Sequence, residues 1–146
     1  GQVYERVPSA CGDMVAPRAV GAVIDVDYEV RACPIDSYDF IDVLQRALYG
    51  SNKAYPSRTM CGDCKRNETS CFFGKGQLCL GLVTRAGCGA KCVNLVLPCN
   101  GCRGLSPDAN LESARDAVAR YGVSVADFDQ ALEMFNQTNP ALAGSE

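Results

Sequence analysis

Eight of the ten cysteines in this 146-residue chain lie between residues 61 and 102, and this cluster constrains the fold more than any other feature. The spacing is Cys61-x2-Cys64-x6-Cys71-x7-Cys79-x8-Cys88-x3-Cys92-x6-Cys99-x2-Cys102. The tract contains many glycines and has no sustained period of 3.6 or 2, so no long helix or strand is predicted through it. The tract is therefore predicted to fold around disulfides, metal ions or metal–sulfide clusters.

Disulfides and zinc are two of these three alternatives. The cysteine count is even, and two glycosylation sequons begin at Asn67 and Asn136, which is compatible with a secreted disulfide protein. Most disulfide-dense domains, however, are shorter than this chain. A zinc ribbon requires two Cys-x2-Cys pairs about 15–20 residues apart, whereas here 34 residues separate Cys64 from Cys99. Two structural zinc sites of four thiolates each remain compatible with the ligand number.

Iron–sulfur clusters are the third alternative. Eight cysteines divide into two sets of four, and each 4Fe–4S cluster binds four thiolates. Such a cluster is larger than a zinc ion, so wide and uneven ligand spacings suit it, and nearby glycines allow backbone N–H groups to approach the sulfurs. The tract does not match the run C-x2-C-x2-C-x3-C-P of two-cluster ferredoxins. The spacing alone leaves all three alternatives open.

Composition excludes several other functions. The formal net charge is −3, so no nucleic-acid partner is predicted. No apolar run is long enough for a membrane span, and no secretory signal is recognisable at the N-terminus. The chain has no His, which excludes imidazole-dependent catalysis and Cys/His zinc fingers.

Regular structure is predicted before the cysteine tract. The stretch "AVGAVIDVDYEV" (19–30) is rich in Val and Ile and partly alternates, which predicts a strand. Ser37 is the predicted N-cap of a helix that ends at Gly50. Its predicted apolar face contains Phe40, Ile41, Leu44 and Leu48.

Two further helices are predicted after the tract. The first extends over "NLESARDAVARYG", opened by Pro107 and Asp108 and ended by Gly122. The second is capped by Ser124 and covers "VADFDQALEMFNQT". Their apolar stripes are predicted to be structural, and they contain Leu111, Ala114, Val118, Val125, Phe128, Leu132 and Phe135.

Four segments, in this order, resemble the small, electron-transferring subunit of nickel–iron hydrogenases. They are "VDYEVRACPID", "CKRNETSCFFGKGQLC", "TRAGCGAKC" and "PCNGCRG", and they cover roughly residues 19–105. The likeness is greatest to the cytosolic branch that couples hydrogen to nicotinamide or deazaflavin carriers. The resemblance implies two 4Fe–4S clusters, a cytoplasmic location and no residue of this chain in acid–base or nucleophilic catalysis.

The resemblance also implies which cysteines bind which cluster. The distal-type ligands are Cys61, Cys64, Cys71 and Cys79, and the medial-type ligands are Cys88, Cys92, Cys99 and Cys102. Periplasmic relatives have His at the position of Cys61 and lack a counterpart of Cys92. A thiolate in place of His adds negative charge, which lowers the expected potential of the distal cluster.

A third, proximal cluster is implied only in part. Cys33, in "RACPID", corresponds to the last proximal ligand of the family, although Ala32 replaces the usual Gly before it. The flavodoxin-like N-terminal domain that holds the other proximal ligands is absent from this sequence, which is interpreted as an incomplete chain, a split subunit or a lost cluster. Cys11 is interpreted as a spare thiol.

Basic residues near the ligands are assigned two roles. Arg85 and Arg103 lie close to glycines and ligands and are predicted to tune the clusters from just outside the ligand set. Lys65 and Arg66 are predicted to form a solvated face.

The predicted fold class is therefore α+β and largely irregular, organised by two clusters. Three parts are expected: a strand–helix remnant over 1–56, an iron–sulfur domain over 57–105, and a helical pair with a tail over 106–146. The predicted function is electron transfer between the nickel–iron site of a large subunit and a flavin- or ferredoxin-type redox subunit, with another chain as a potential source of the flavodoxin-like domain. An interaction module with two zinc sites and a relay subunit of another oxidoreductase are the alternatives.

Overall fold

A computed structural model of the chain describes residues 17–51 and 55–142. In these two ranges the regular elements are five α-helices: α1 (Ser37–Tyr49), α2 (Cys61–Arg66), α3 (Lys91–Asn94), α4 (Leu111–Arg120) and α5 (Val125–Asn136). Short 3₁₀ turns cover Val20–Ala22, Phe73–Lys75 and Leu80–Leu82. Cys11 lies outside the described residues, so its role as a spare thiol stays a prediction.

The predicted strand over 19–30 is not formed, so the α+β expectation is wrong for the described part of the chain. Val20–Ala22 form a 3₁₀ turn, and the residues after it are irregular, with Val23 and Ile24 each 60% exposed. A Val- and Ile-rich segment becomes a strand only where another segment completes its hydrogen bonds. Within the described ranges the only β pairing is two isolated bridges, Thr59 with Arg85 and Thr84 with Leu105.

Helix α1 confirms the predicted helix and corrects its start. The N-cap is Asp36, whose carboxylate accepts the N–H of Tyr38 at 2.9 Å, and Ser37 is the first helical residue. The helix ends before Gly50, which has a φ of +66° and so adopts a conformation that glycine tolerates best. Val43 is the buried residue of this helix.

The two predicted C-terminal helices are present, but α4 begins at Leu111 and is not opened by Pro107 and Asp108, which lie in a turn before it. Asn110 caps α4, and the Ser124 hydroxyl accepts the N–H of Asp127 at 3.1 Å at the start of α5. Ala114 and Val118 of α4 and Phe128 and Leu132 of α5 are buried. The apolar stripes of both helices therefore face the interior.

The hydrophobic core joins the cysteine tract to these two helices. From the tract it includes Met60, Phe72, Leu80, Val83, Val93 and Leu105, which pack in one cluster with Ala114, Val118, Phe128 and Leu132. Asn136 adds a polar connection, because its buried side chain accepts the N–H of Leu105 at 2.9 Å and donates to the carbonyl of Leu132 at 2.8 Å. The irregular tract is thereby held against a helical support.

In the described ranges, no helix is long and apolar enough to span a membrane.

Candidate metal centre

One cavity is lined by a complete set of four cysteines. These are Cys88, Cys92, Cys99 and Cys102, which we call the second set because they follow the other four cysteines of the tract along the chain. Cys33, Thr84 and Arg103 line the same cavity. Short backbone turns present them: Cys92 lies in α3, and Cys88 precedes Ala90, which has a φ of +57°. Cysteines that are distant in sequence therefore line one cavity.

The other four cysteines also lie near one another. We call Cys61, Cys64, Cys71 and Cys79 the first set. Cys61 and Cys64 are one helical turn apart in α2. The sulfurs of Cys61 and Cys79 both lie within 3.7 Å of the point that a Cβ on Gly81 would occupy. A thiolate at Cys79, Cys64 or Cys71 would repel one at Cys61, so the four thiols share one electrostatic environment.

Burial raises the pKa of several of these thiols. It raises the pKa of Cys99 to about 12 and the pKa of Cys61 to about 11, and neighbouring thiols add to both shifts. Burial also raises the pKa of Cys79 and of Cys102. Of the eight cysteines only Cys79 and Cys99 are buried, and Cys71 is exposed. A group of neighbouring, partly buried thiolates needs positive charge, and a metal centre is the usual source of it.

Backbone N–H groups point at the sulfurs. The N–H of Cys99 donates to the sulfur of Cys79 at 3.3 Å, and the N–H of Gly101 donates to the sulfur of Cys99 at 3.5 Å. Gly101 has a φ of +82°, and a Cβ there would lie 2.9 Å from Cδ1 of Leu80. Glycine therefore allows this donor to approach. Hydrogen bonds of this kind tune metal–thiolate sites.

Cys33 lies beside the second set. It lines the same cavity, and its backbone N–H hydrogen-bonds to the sulfur of Cys102. Its side chain is exposed. The proximal-type role implied by the resemblance stays a prediction, because the described residues place no further cysteine beside Cys33 apart from those of the second set.

Arg103 and Arg85 occupy different surroundings. Arg103 lines the cysteine cavity and forms a bidentate ion pair with Asp39 of α1, with distances of 2.5 and 3.3 Å. Burial alone would lower the pKa of Arg103, but Asp39 and, more weakly, Cys88 and Cys102 raise it overall. Arg85 lines a separate cavity, together with Arg103 and Arg31.

The donor set fits soft metal chemistry. All nine described cysteines are free thiols, and thiolates are the ligands that zinc and iron–sulfur clusters share. Among the described residues, no group of three or more Cys, Asp or Glu side chains is arranged to hold a single metal ion. The features that fit a cluster are therefore the two sets of four sulfurs and the N–H groups directed at them.

Two features of the site were not predicted from the sequence. Thr84 lines the cysteine cavity, its hydroxyl donates to the carbonyl of Leu80 at 2.6 Å, and no motif marks it. Asp39, the partner of Arg103, is 64 residues away along the chain. Its position in the first turn of α1 gives no signal of that contact.

Comparison with known proteins identifies the class of the chain, which is homologous to hydrogenase subunits. No family model and no solved structure matches it. The resemblance inferred from the four cysteine-bearing segments is confirmed by curated relatives, each of which is a subunit of a hydrogenase.

The particular relatives are archaeal. A subunit of the F420-non-reducing hydrogenase vhu of Methanocaldococcus jannaschii is 29% identical over 135 residues, covering 78% of this chain and 46% of the relative. The delta subunit of sulfhydrogenase 2 of Pyrococcus furiosus is 36% identical over 99 residues, covering 67% and 42%. The relative from Archaeoglobus profundus is named as an iron-sulfur subunit of F420-non-reducing hydrogenase and is 29% identical, covering 79% and 44%. The chain thus spans less than half the length of these relatives.

Proposed function

We propose that this chain is the electron-transfer subunit of a nickel–iron hydrogenase and that it binds two 4Fe–4S clusters. The first set of cysteines would hold the distal-type cluster, and the second set would hold the medial-type cluster. Electrons would pass between the nickel–iron site of a large subunit and a redox acceptor in the cytoplasm, such as a flavin- or ferredoxin-type subunit. The cavity lined by all four cysteines of the second set is the observation that carries this proposal.

Several groups of this chain would stabilise the thiolate form of the cysteines that bind the clusters. When bound, the clusters would supply the positive charge that stabilises the thiolates and the redox centres that accept and donate single electrons. The N–H groups of Gly101 and Cys99 would stabilise the charged form of the sulfurs that they already contact. Arg103 would add a cation close to Cys88 and Cys102. Each of these contacts would stabilise the negative charge of a cysteine thiolate.

The two sets are connected through the chain itself. The sulfur of Cys79, in the first set, accepts a hydrogen bond from the backbone of Cys99, in the second set. This contact provides a short path of bonded and hydrogen-bonded atoms between the two groups of ligands. The core beneath the tract, with Leu80 and Val93 buried, keeps water away from that path. Such an arrangement suits electron transfer and requires no acid or base in this chain.

Cofactor analysis of the complex as isolated under anaerobic conditions tests the proposal. We expect about eight iron and eight acid-labile sulfide per chain, beyond those of partner subunits, and about one nickel per complex. Two zinc ions and no sulfide would overturn the proposal and favour a zinc-bound interaction module. Clusters without a nickel-containing partner would point to another oxidoreductase.

Variants with matched chemistry locate the ligands. Cys99→Ser should remove about four iron per chain, because serine is a poor ligand for a soft cluster. Cys33→Ser is the control: it also loses one thiol at the same cavity, but it lies outside both sets of four. Full iron content in Cys99→Ser would overturn the assignment of the second set, whereas iron loss in Cys33→Ser would show that Cys33 also binds a cluster.

A further inference from the structure

The structure contains a second polar cavity, which we call the arginine cavity. Arg31, Arg85 and Arg103 line it, with Glu29, Asp39 and Tyr55, and its volume is about 340 Å³. This volume is within the usual range for small-molecule pockets. The lining comes from residues 29–31, helix α1, Tyr55, residues within 85–105 and the residues that follow α5. Arg103 is the only lining residue that this cavity shares with the cysteine-lined cavity.

Two of the three arginines already have carboxylate partners. Arg31 forms an ion pair with Glu29, and Arg103 is held by both oxygens of Asp39. The side chain of Arg103 is only 8% exposed. Each of these pairs is neutral as a unit, so neither leaves a net charge in the cavity.

Arg85 is the remaining cation. Its Nε is buried and has no hydrogen-bond partner, and none of the described carboxylates forms an ion pair with it. Arg103 also has an unpartnered buried Nε. Burial, followed by repulsion from Arg31 and Arg103, lowers the pKa of Arg85. The ring of Tyr55, 5.6 Å from the guanidinium carbon, offsets only part of the positive charge. A guanidinium stays protonated in proteins, so the missing element is an anion.

The backbone holds Arg85 in place for such a contact. Thr59 and Arg85 form one β-bridge, and Thr84 and Leu105 form the next. The N–H of Arg85 donates to the carbonyl of Gly104 at 3.0 Å. The donor groups of Arg85 are therefore presented from a fixed base, which reduces the entropy lost on binding.

The walls of the cavity define the rest of the ligand. The apolar part of the lining comes from Val30, Val43, Leu105 and Pro140. After the two internal ion pairs are formed, one positive charge is left. A planar carboxylate matches one guanidinium, and an apolar stem matches the walls.

We propose that the arginine cavity binds a small organic monocarboxylate, with its carboxylate on Arg85. The ligand's short apolar stem lies against Val43 and Leu105. The site depends on residues outside both sets of cysteines, so it stands whether or not the chain belongs to a hydrogenase complex.

Calorimetric titration of the full chain, with its cofactors as isolated, tests this site. Butyrate is the probe, and butyramide is its uncharged analogue. We expect saturable binding of butyrate with a Kd of about 1 mM or tighter, and no saturable binding of butyramide. Equal binding of the two compounds would overturn the proposal. Tighter binding of inorganic phosphate than of butyrate would also overturn it, because the apolar walls would then contribute nothing.

Three variants complete the test. Arg85→Gln should weaken butyrate binding at least about tenfold, since a charge-assisted hydrogen bond is lost. Arg85→Lys keeps the charge without the planar fork and should give an intermediate loss. Arg120→Gln removes an exposed arginine at the end of α4 and should leave the affinity unchanged. A similar loss in Arg120→Gln, or unchanged affinity in Arg85→Gln, would show that the cavity does not select the anion.

Discussion

Helices α1 and α5 have the same kind of sequence and opposite environments. Both are amphipathic, and both have an aromatic residue and a leucine on the apolar face. In α5, Phe128 and Leu132 are almost completely buried. In α1, Phe40 is 51% exposed and Leu44 is 44% exposed. An apolar stripe predicts that a helix forms and which face is apolar, but it does not predict what covers that face.

The two helices are also attached to the cysteine tract by different forces. Helix α5 packs through its apolar residues and adds one buried amide, Asn136. Helix α1 is held mainly by ion pairs: Asp39 with Arg103, and Asp36 at its N-cap with Lys91 of α3. Salt does not screen apolar packing, whereas it screens exposed ion pairs strongly and buried ones less. The pair of Asp36 with the exposed Lys91 should therefore weaken with ionic strength, and the packing of α5 should not.

The largest expected effect comes from truncating the buried aromatic residue. Phe128→Ala should lower the free energy of unfolding by about 3–5 kcal/mol, because it leaves a cavity in the core. Phe40→Ala, the same change on the exposed face of α1, should cost less than about 1 kcal/mol. Urea unfolding followed by circular dichroism measures both. Equal losses would mean that the face of α1 is buried in solution.

The next effect concerns the ion pair between α1 and the tract. Asp39→Asn leaves the buried guanidinium of Arg103 without its counter-charge and should cost about 1–3 kcal/mol, less than a fully buried pair because Asp39 is 28% exposed. Asp129→Asn is the control, because it breaks an exposed pair: the side chain of Asp129 is 43% exposed and that of its partner Arg115 is 36% exposed. This change should cost less than about 0.5 kcal/mol. If Asp39→Asn were as mild as this control, the pair would not anchor α1.

A smaller effect is expected at the amide that anchors α5. Asn136→Ala removes the acceptor for the N–H of Leu105, so a buried donor loses its partner. The expected cost is about 1–2 kcal/mol. Asn139→Ala is the control, since the side chain of Asn139 accepts the N–H of Ala141, only two residues along. Denaturant midpoints of the two variants should differ clearly, and coincident midpoints would contradict an anchoring role for Asn136.

The helices show what could be predicted from local sequence. Ser124 and Gly50 lie next to the residues that they cap or end, so short-range rules found them. The N-cap of α1 was predicted one residue too late, because Asp36 and Ser37 are adjacent and both are good capping residues. The strand prediction over 19–30 failed because a strand requires a partner segment, and no local pattern reports one.

The candidate site shows the limit of the same reasoning. Spacing suggested that the eight cysteines act together, but their division into two sets came from the resemblance and stays a prediction. Contacts between distant residues, such as Asp39 with Arg103, were invisible in the sequence. The surroundings of Arg85 could not be predicted either, because the walls of its cavity come from many short segments between residues 29 and 140. Those contacts depend on how irregular chain packs, which periodicity does not describe.

The smallest expected effect is a dependence of the α1 attachment on pH. The hydrogen bond from Lys91, followed by the N–H of Tyr38, lowers the pKa of Asp36 below its ordinary value of 3.8. A carboxyl whose pKa is lower in the folded state stabilises the fold above its ordinary pKa. That stabilisation disappears as the pH falls through the lowered value.

Asp36→Asn keeps a capping side chain but removes the charge. Between about pH 6 and pH 3 the urea midpoint of the wild type should therefore fall slightly more than that of Asp36→Asn. Lys91→Met removes the other charge of the pair, so its urea midpoint should also fall less than that of the wild type over this pH range. Identical pH profiles in all three proteins would show that this exposed pair contributes nothing to the attachment of α1, which would then depend on Asp39 and Arg103.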